Sequence, residues 1–113
     1  MGVDLSLVVE RYPILDGPML ASVVLRFEYR DYDTWEVLRT RAFRLGKKVN
    51  WFGDEGLEQR SDDNCGEPLA YVTAHAFLGL VNWDESKLCA FDRANLAFIR
   101  ELPDATRLVL WWC

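Results

Sequence analysis

The segment VDLSLVVE at residues 3–10 carries an apolar residue at every second position. This period of two is typical of a strand with one buried face. Residues 21–29, ASVVLRFEY, repeat the pattern. Between the two segments, Pro13, Pro18 and the pair Asp16 and Gly17 indicate a turn-rich connection. We therefore expect a long antiparallel strand pair, because strands that follow one another in sequence usually pair in space.

A helix is predicted after the second strand. Asp31 and Asp33 are both candidate N-caps, since a carboxylate there accepts hydrogen bonds from the free N–H groups of the first turn. Trp35 and Leu38 share the apolar face of this helix. Gly46 is its predicted end, because glycine commonly stops a helix at its C-terminus.

The clearest helical pattern lies near the end of the chain. This helix is predicted to open at Asp84 or Ser86 and to end at Leu102, ahead of Pro103. Its predicted buried stripe consists of Leu88, Phe91, Phe98, Ile99 and Leu102. Cys89 falls in the same apolar pattern and is expected in the core.

Two polar residues fall inside the apolar arc of this last helix, Asp92 and Asn95. Buried polar groups are nearly always hydrogen-bonded, so we expect a hydrogen bond or a pairing with arginine that locks the helix to the loop. The alternative is a polar spot on a binding surface.

The remaining elements complete a single α+β domain over residues 1–113. Short strands are predicted at residues 49–52 and 69–72, and Thr73 can cap a short helix. A final strand is predicted from Arg107 to Trp112. The order predicts an antiparallel sheet of three to five strands with two or three helices packed on one face. The predicted core consists of Leu5, Leu7, Val23, Leu25, Phe91, Phe98, Leu108 and Leu110.

Composition excludes several classes of protein. The chain has 113 residues, of which 50% are hydrophobic and 13% aromatic, enough to build one core. Disorder, collagen and coiled coil are therefore excluded. No apolar run is long enough for a membrane span, and no secretory signal opens the chain, so we expect a cytoplasmic protein without membrane contact.

The sequence contains no recognisable catalytic motif. The glycine-rich phosphate loops, the nucleophile elbow of hydrolases and the zinc-protease motif are all missing. His75 is the single histidine, and we expect it to be a packed or half-exposed structural residue. Cys65, Cys89 and Cys113 are scattered and odd in number, which predicts reduced thiols and no zinc site. We expect no catalytic residue, no metal and no cofactor.

The charged residues form two clusters in a chain of net charge −5. The basic cluster consists of Arg39, Arg41, Arg44, Lys47 and Lys48. The acidic cluster, in a predicted loop over residues 53–66, consists of Asp54, Glu55, Glu58, Asp62, Asp63 and the adjoining Glu67. Each can simply be a solvated surface, or the two can steer a partner electrostatically.

Segments over most of the chain resemble a group of small bacteriophage and prophage proteins. They are MGVDL (1–5), RDYD (30–33), DEGLE (54–58), GEPLAYV (66–72), RANLAF (93–98) and LPDATRLVLWW (102–112). This group carries no activity over to any residue. The resemblance implies an accessory protein in the cytoplasm of an infected bacterium, a setting in which small acidic domains often inhibit host defence, anti-CRISPR proteins among them.

Two functions follow as hypotheses. In the first, the acidic cluster binds a host protein or ribonucleoprotein complex and occludes its surface without catalysis, and direct binding of nucleic acid is not expected. In the second, the basic cluster at residues 39–48 holds an anion, as in a nucleic-acid accessory protein or a small enzyme. Loss of a protein partner at high salt supports the first, whereas enrichment of DNA or RNA supports the second.

Overall fold

The computed structural model describes residues 4–10, 19–46, 48–53, 56–63 and 65–112. In chain order the elements are β1 (Leu5–Glu10), β2 (Met19–Arg26), α1 (Tyr32–Arg41), β3 (Phe43–Arg44), β4 (Val49–Gly53), β5 (Gly56–Arg60), β6 (Ala70–Thr73), α2 (Ala74–Leu80), a 3-10 helix (Glu85–Lys87), α3 (Ala90–Glu101) and β7 (Arg107–Trp112). The predicted α+β class is confirmed.

The predicted strand pair is the centre of the sheet. β1 pairs antiparallel with β2, with Leu7 opposite Leu25. On its other side β1 pairs antiparallel with β7, and β6 and β3 continue the sheet outward. These five strands, in the order β3-β6-β7-β1-β2, form the predicted antiparallel sheet.

A hairpin of β4 and β5 extends this sheet, and the sequence pattern does not predict its second strand. The first residues of β2 pair in parallel with β4, and β4 pairs antiparallel with β5. The expectation of a loop throughout residues 53–66 is therefore wrong. The segment GLEQR of β5 has one apolar residue and no alternation of apolar and polar residues. β5 lies at the edge of the sheet, where a strand does not need a hydrophobic pattern. The sequence therefore gives no signal for this strand.

The larger core lies between the helices and one face of the sheet. Alternate residues of β1 and β7, such as Leu7 and Leu110, are buried there against Trp35 of α1, Phe77 of α2 and Ile99 of α3. A smaller core on the opposite sheet face joins Val8, Leu45, Leu69, Val109 and Trp111. The guanidinium carbon of Arg60 lies 5.1 Å from the ring centroid of Trp111, so the end of β5 also reaches this second face.

The start of α1 follows the prediction, but its end does not. Asp31 is the N-cap, and its carboxylate accepts hydrogen bonds from the Thr34 N–H (3.3 Å) and hydroxyl (2.7 Å). The Thr34 hydroxyl, as the leading cause, lowers the pKa of Asp31. The helix ends at Arg41 rather than near Gly46, because Phe43 already pairs with the sheet. Gly46 instead takes a turn conformation with φ of 72°.

The last helix is shorter and rotated relative to the prediction. Leu88 and Cys89 have extended backbone between the 3-10 helix and α3, so a helical wheel that starts at Leu88 has the wrong phase. Phe91 and Phe98 are exposed, at 72% and 40%, and the prediction that they lie in the core is wrong. The buried face of α3 is formed by Asp92, Leu96 and Ile99. Cys89 is also exposed, contrary to expectation.

The hydrogen bonds predicted for Asp92 and Asn95 are confirmed. Asp92 is buried, and its two carboxylate oxygens accept hydrogen bonds from the backbone N–H groups of Glu28 (2.9 Å) and Tyr29 (2.8 Å). The side-chain amide of Asn95 donates to the carbonyl oxygen of Arg26 at 2.8 Å. These three bonds hold α3 to the end of β2 and the segment after it.

No helix within the described ranges has the length and apolar character needed to cross a membrane.

Candidate protein-binding surface

The basic residues that the sequence singled out divide into inward and outward side chains. Arg39 forms an ion pair with Glu36 (2.9 Å), and its guanidinium carbon lies 3.9 Å from the ring centroid of Trp112. This arginine therefore packs against the edge of the core. Lys47 lies outside the described residues.

The other three basic side chains, Arg41, Arg44 and Lys48, are exposed. None of them forms an ion pair with any residue that the structure describes. Positive charge is therefore available to a partner just beyond the end of α1 and along the edge strand β3.

The acidic cluster does not act as one unit. Asp54 and Glu55 lie outside the described residues, and Glu58 is on β5. Asp62 is exposed and Glu67 half-buried. Asp63 is 97% buried, since its relative exposure is 3%.

The Asp63 carboxylate is engaged within its own loop. One oxygen accepts hydrogen bonds from the backbone N–H groups of Cys65 (2.8 Å) and Glu67 (3.0 Å). The Asp63 N–H donates to the Glu67 carbonyl at 2.9 Å, which closes the turn. We therefore leave Asp63 out of the surface offered to a partner.

The two charged clusters meet on the folded protein. Arg44 and Glu67 line one groove, together with Arg39 and Trp112. Arg44 also lines an adjacent groove with Lys48 and Asp62. The charges of residues 39–48 and of residues 62–67 therefore partly compensate one another. They form one surface of mixed charge rather than two separate patches.

Phe43 is the residue that the sequence did not single out. It lies on the two-residue edge strand β3 and is 66% exposed. Its ring centroid lies 5.9 Å from that of Tyr71, which is opposite it in the β3–β6 pair. A lone phenylalanine between two arginines has no periodic signal, because its exposure depends on where α1 ends. We call Arg41, Phe43, Tyr71 and His75 the Phe43 surface.

Tyr71 also contacts a partly buried ion pair. The guanidinium carbon of Arg107 lies 5.3 Å from the Tyr71 ring centroid, and Arg107 pairs with the carboxylate of Glu10. Glu10 is buried, and its hydrogen bond raises the pKa of Arg107 above the ordinary value. Arg107 therefore stays charged, and Tyr71 provides a fixed support for the exposed ring of Phe43.

His75 stands at the rim of this surface, near the start of α2. Its side chain is exposed, although we expected it to be packed or half-exposed. Thr73 caps this helix as predicted, accepting a hydrogen bond from the Ala76 N–H at 3.1 Å. Within the described part of the chain, no three side chains of His, Cys, Asp or Glu converge in a way that could hold a metal ion.

Comparison of the chain with protein families, with curated proteins and with solved structures found no match. The Phe43 surface and the charges around it are therefore the features that indicate a function.

Proposed function

We propose that this chain is a non-catalytic binding protein that covers a surface of a partner protein. The observation that carries the proposal is Phe43, a large aromatic side chain that is 66% exposed on an edge strand and lines a groove together with Arg41. Aromatic residues and arginine are enriched in the energetic centres of protein interfaces. Covering the exposed part of a phenylalanine contributes on the order of 1–2 kcal/mol to binding.

A single exposed apolar residue is normal on a protein surface. Phe43 differs because it is part of a continuous feature. The ring leans on Tyr71 and lines a groove whose floor is Val72, Ala76 and Leu80. An aromatic anchor next to a concave apolar surface is the arrangement that binding proteins use to reach useful affinity.

The acidic residues other than Asp63 are proposed to guide the approach of the partner. The carboxylates of Asp54, Glu55, Glu58, Asp62 and Glu67 contribute to the net charge of −5, which attracts a cationic surface. Such charges mainly raise the association rate and fix the orientation of the complex. The mixed charge around Arg44 then requires a partner with both signs of charge.

The resemblance to small bacteriophage proteins indicates which partners to test first. We propose a host defence complex, a protein or ribonucleoprotein of the bacterial cytoplasm, inhibited by occlusion of its working surface in the manner of anti-CRISPR proteins. This mode of action needs affinity and shape, not a reacting group on this chain.

A second candidate function has its own supporting observation. Arg41, Arg44 and Lys48 are exposed and form no ion pair with a described residue, so they are free to hold an anion such as a phosphate of nucleic acid. The chain would then be a nucleic-acid accessory protein or a small enzyme acting on an anion. The acidic residues Asp62 and Glu67 in the adjoining grooves weaken this candidate by repelling a polyanion.

The experiment that tests the proposal is capture from a bacterial lysate with Phe43→Ala and, as the matched control, Phe91→Ala. Both variants remove an exposed phenylalanine, but only Phe43 belongs to the Phe43 surface. We expect Phe43→Ala to reduce the recovery of a specific host protein about tenfold or more, as for an interface anchor. Phe91→Ala should leave recovery unchanged.

Salt separates the two candidate functions in the same experiment. Raising the salt concentration should weaken capture of the protein partner, because screening removes the electrostatic guidance. Capture that is equal for both variants would contradict the proposal. Enriched DNA or RNA, lost when Arg41 and Arg44 are both replaced by Ala, would establish the anion-binding function instead.

A further inference from the structure

The Phe43 surface continues into a groove between the end of α1, β6 and α2. Apolar side chains form most of its lining, namely Phe43, Val72, Ala76 and Leu80. Thr73 and Gly79 also line it, and Arg41 and His75 stand at its margin. None of the described residues that line the groove carries a carboxylate, although the chain as a whole is acidic. It is therefore an apolar depression with a polar and cationic margin.

Gly79 lines this groove, and neither its backbone conformation nor close packing requires glycine at this position. It is inside α2, where glycine weakens a helix by about 1 kcal/mol relative to alanine. Its backbone is not in the left-handed region, so no conformation there requires glycine. A Cβ atom built at Gly79 meets no atom within 4 Å, so close packing does not require it either. The space that a side chain at position 79 would occupy is open and belongs to the groove.

We propose that this groove receives a large apolar side chain from an acidic segment of the partner protein, with Gly79 providing the space for it. This inference rests on the proposed function and deepens it, because it names the chemistry of the segment that the Phe43 surface recognises. The apolar side chain enters between Phe43 and Leu80, and a flanking carboxylate lies against Arg41.

Charge complementarity selects this occupant. Arg41 lines the groove, is exposed and forms no ion pair within the described ranges. A basic segment is repelled by Arg41, and a neutral one leaves its guanidinium group without a charged partner. An acidic segment supplies that partner, with carboxylate–guanidinium hydrogen bonds that are stronger than neutral ones.

The test is a selection of short random peptides displayed on a carrier, with the purified protein as target. Peptides that bind the wild type are counter-selected on Gly79→Leu, whose side chain fills the groove. Because the Cβ position is open, this variant should fold, and thermal melting checks that it does. Gly79→Ala is the matched control, since it restores helix propensity while leaving most of the groove empty.

We expect the enriched peptides to share an aromatic or large aliphatic residue flanked by Asp or Glu. A synthetic peptide of that pattern should bind Gly79→Leu about tenfold or more weakly than the wild type, and Gly79→Ala within about twofold of it. Replacing its acidic residues by Lys should abolish binding, and higher salt should weaken it.

Three results overturn the inference. They are enrichment of basic or uncharged peptides, enrichment of none, and equal affinity of the enriched peptide for the wild type and Gly79→Leu. The proposed function fails separately, when Phe43→Ala captures the host protein as well as Phe91→Ala does. Loss of capture in Phe43→Ala, with full capture by Gly79→Leu, overturns the groove and leaves the proposed function intact.

Discussion

Replacing Asp92 with alanine should lower the free energy of unfolding by about 3–5 kcal/mol. The Asp92 side chain is buried, and its removal leaves the N–H groups of Glu28 and Tyr29 without their acceptors, each at a cost of about 1–3 kcal/mol. Asp92 also lies in the first turn of α3, where a negative charge interacts favourably with the helix dipole. Urea denaturation measures the loss.

Two further variants make this prediction specific. Asp92→Asn keeps one acceptor oxygen but turns an NH2 group toward the second backbone N–H, so its loss should be smaller than that of Asp92→Ala. Asn95→Ala removes one bond to the Arg26 carbonyl at a half-exposed site and should cost about 1 kcal/mol. If Asp92→Ala costs less than about 1 kcal/mol, Asp92 does not hold α3 in the way described.

Trp35→Ala should be the other severely destabilising substitution, at about 3–5 kcal/mol. Trp35 is 1% exposed and packs edge-on against several rings, with centroid distances of 5.3 Å to Trp83, 6.0 Å to Trp112 and 6.5 Å to Phe27. Its indole Nε1 is buried with no hydrogen-bond partner in the described part of the chain. Trp35→Phe removes that unsatisfied donor and keeps an aromatic ring, so it should cost less.

The control for the core is Phe98→Ala. Phe98 is 40% exposed on α3, so its truncation should cost about 1 kcal/mol or less, although the helical wheel drawn from the sequence puts it in the core. Thermal melting and urea denaturation should agree on the order of the two variants. A loss for Phe98→Ala as large as that for Trp35→Ala would mean that α3 packs with the other face inward.

The parts of the fold that follow from the sequence are those with a local, periodic cause. The alternation in β1, β2 and β7 identifies the sheet face that packs against the helices. The prediction that β1 has one buried face is wrong, because all six of its residues are buried and a second core covers its other side. The N-caps Asp31 and Thr73 have the side chains that satisfy a helix start, and a polar residue inside an apolar arc, Asp92, has the partners it needs.

The parts of the fold that do not follow from the sequence depend on where helices begin and end, or on contacts with residues distant in the chain. The extended backbone at Leu88 and Cys89 sets the phase of α3, and no glycine or proline marks it. β5 is defined by its pairing with β4 rather than by its own side chains. The Phe43 surface forms because α1 ends at Arg41 and β6 lies beside β3, and both features depend on tertiary structure.

The most direct test of the binding proposal is site-specific crosslinking in bacterial cells. A photo-reactive phenylalanine analogue replaces Phe43 in one protein and Phe91 in a second, both exposed positions. On irradiation, the analogue in place of Phe43 should attach to one host protein in high yield, and the analogue in place of Phe91 should not. Equal attachment from both positions, or none in place of Phe43, would contradict the account.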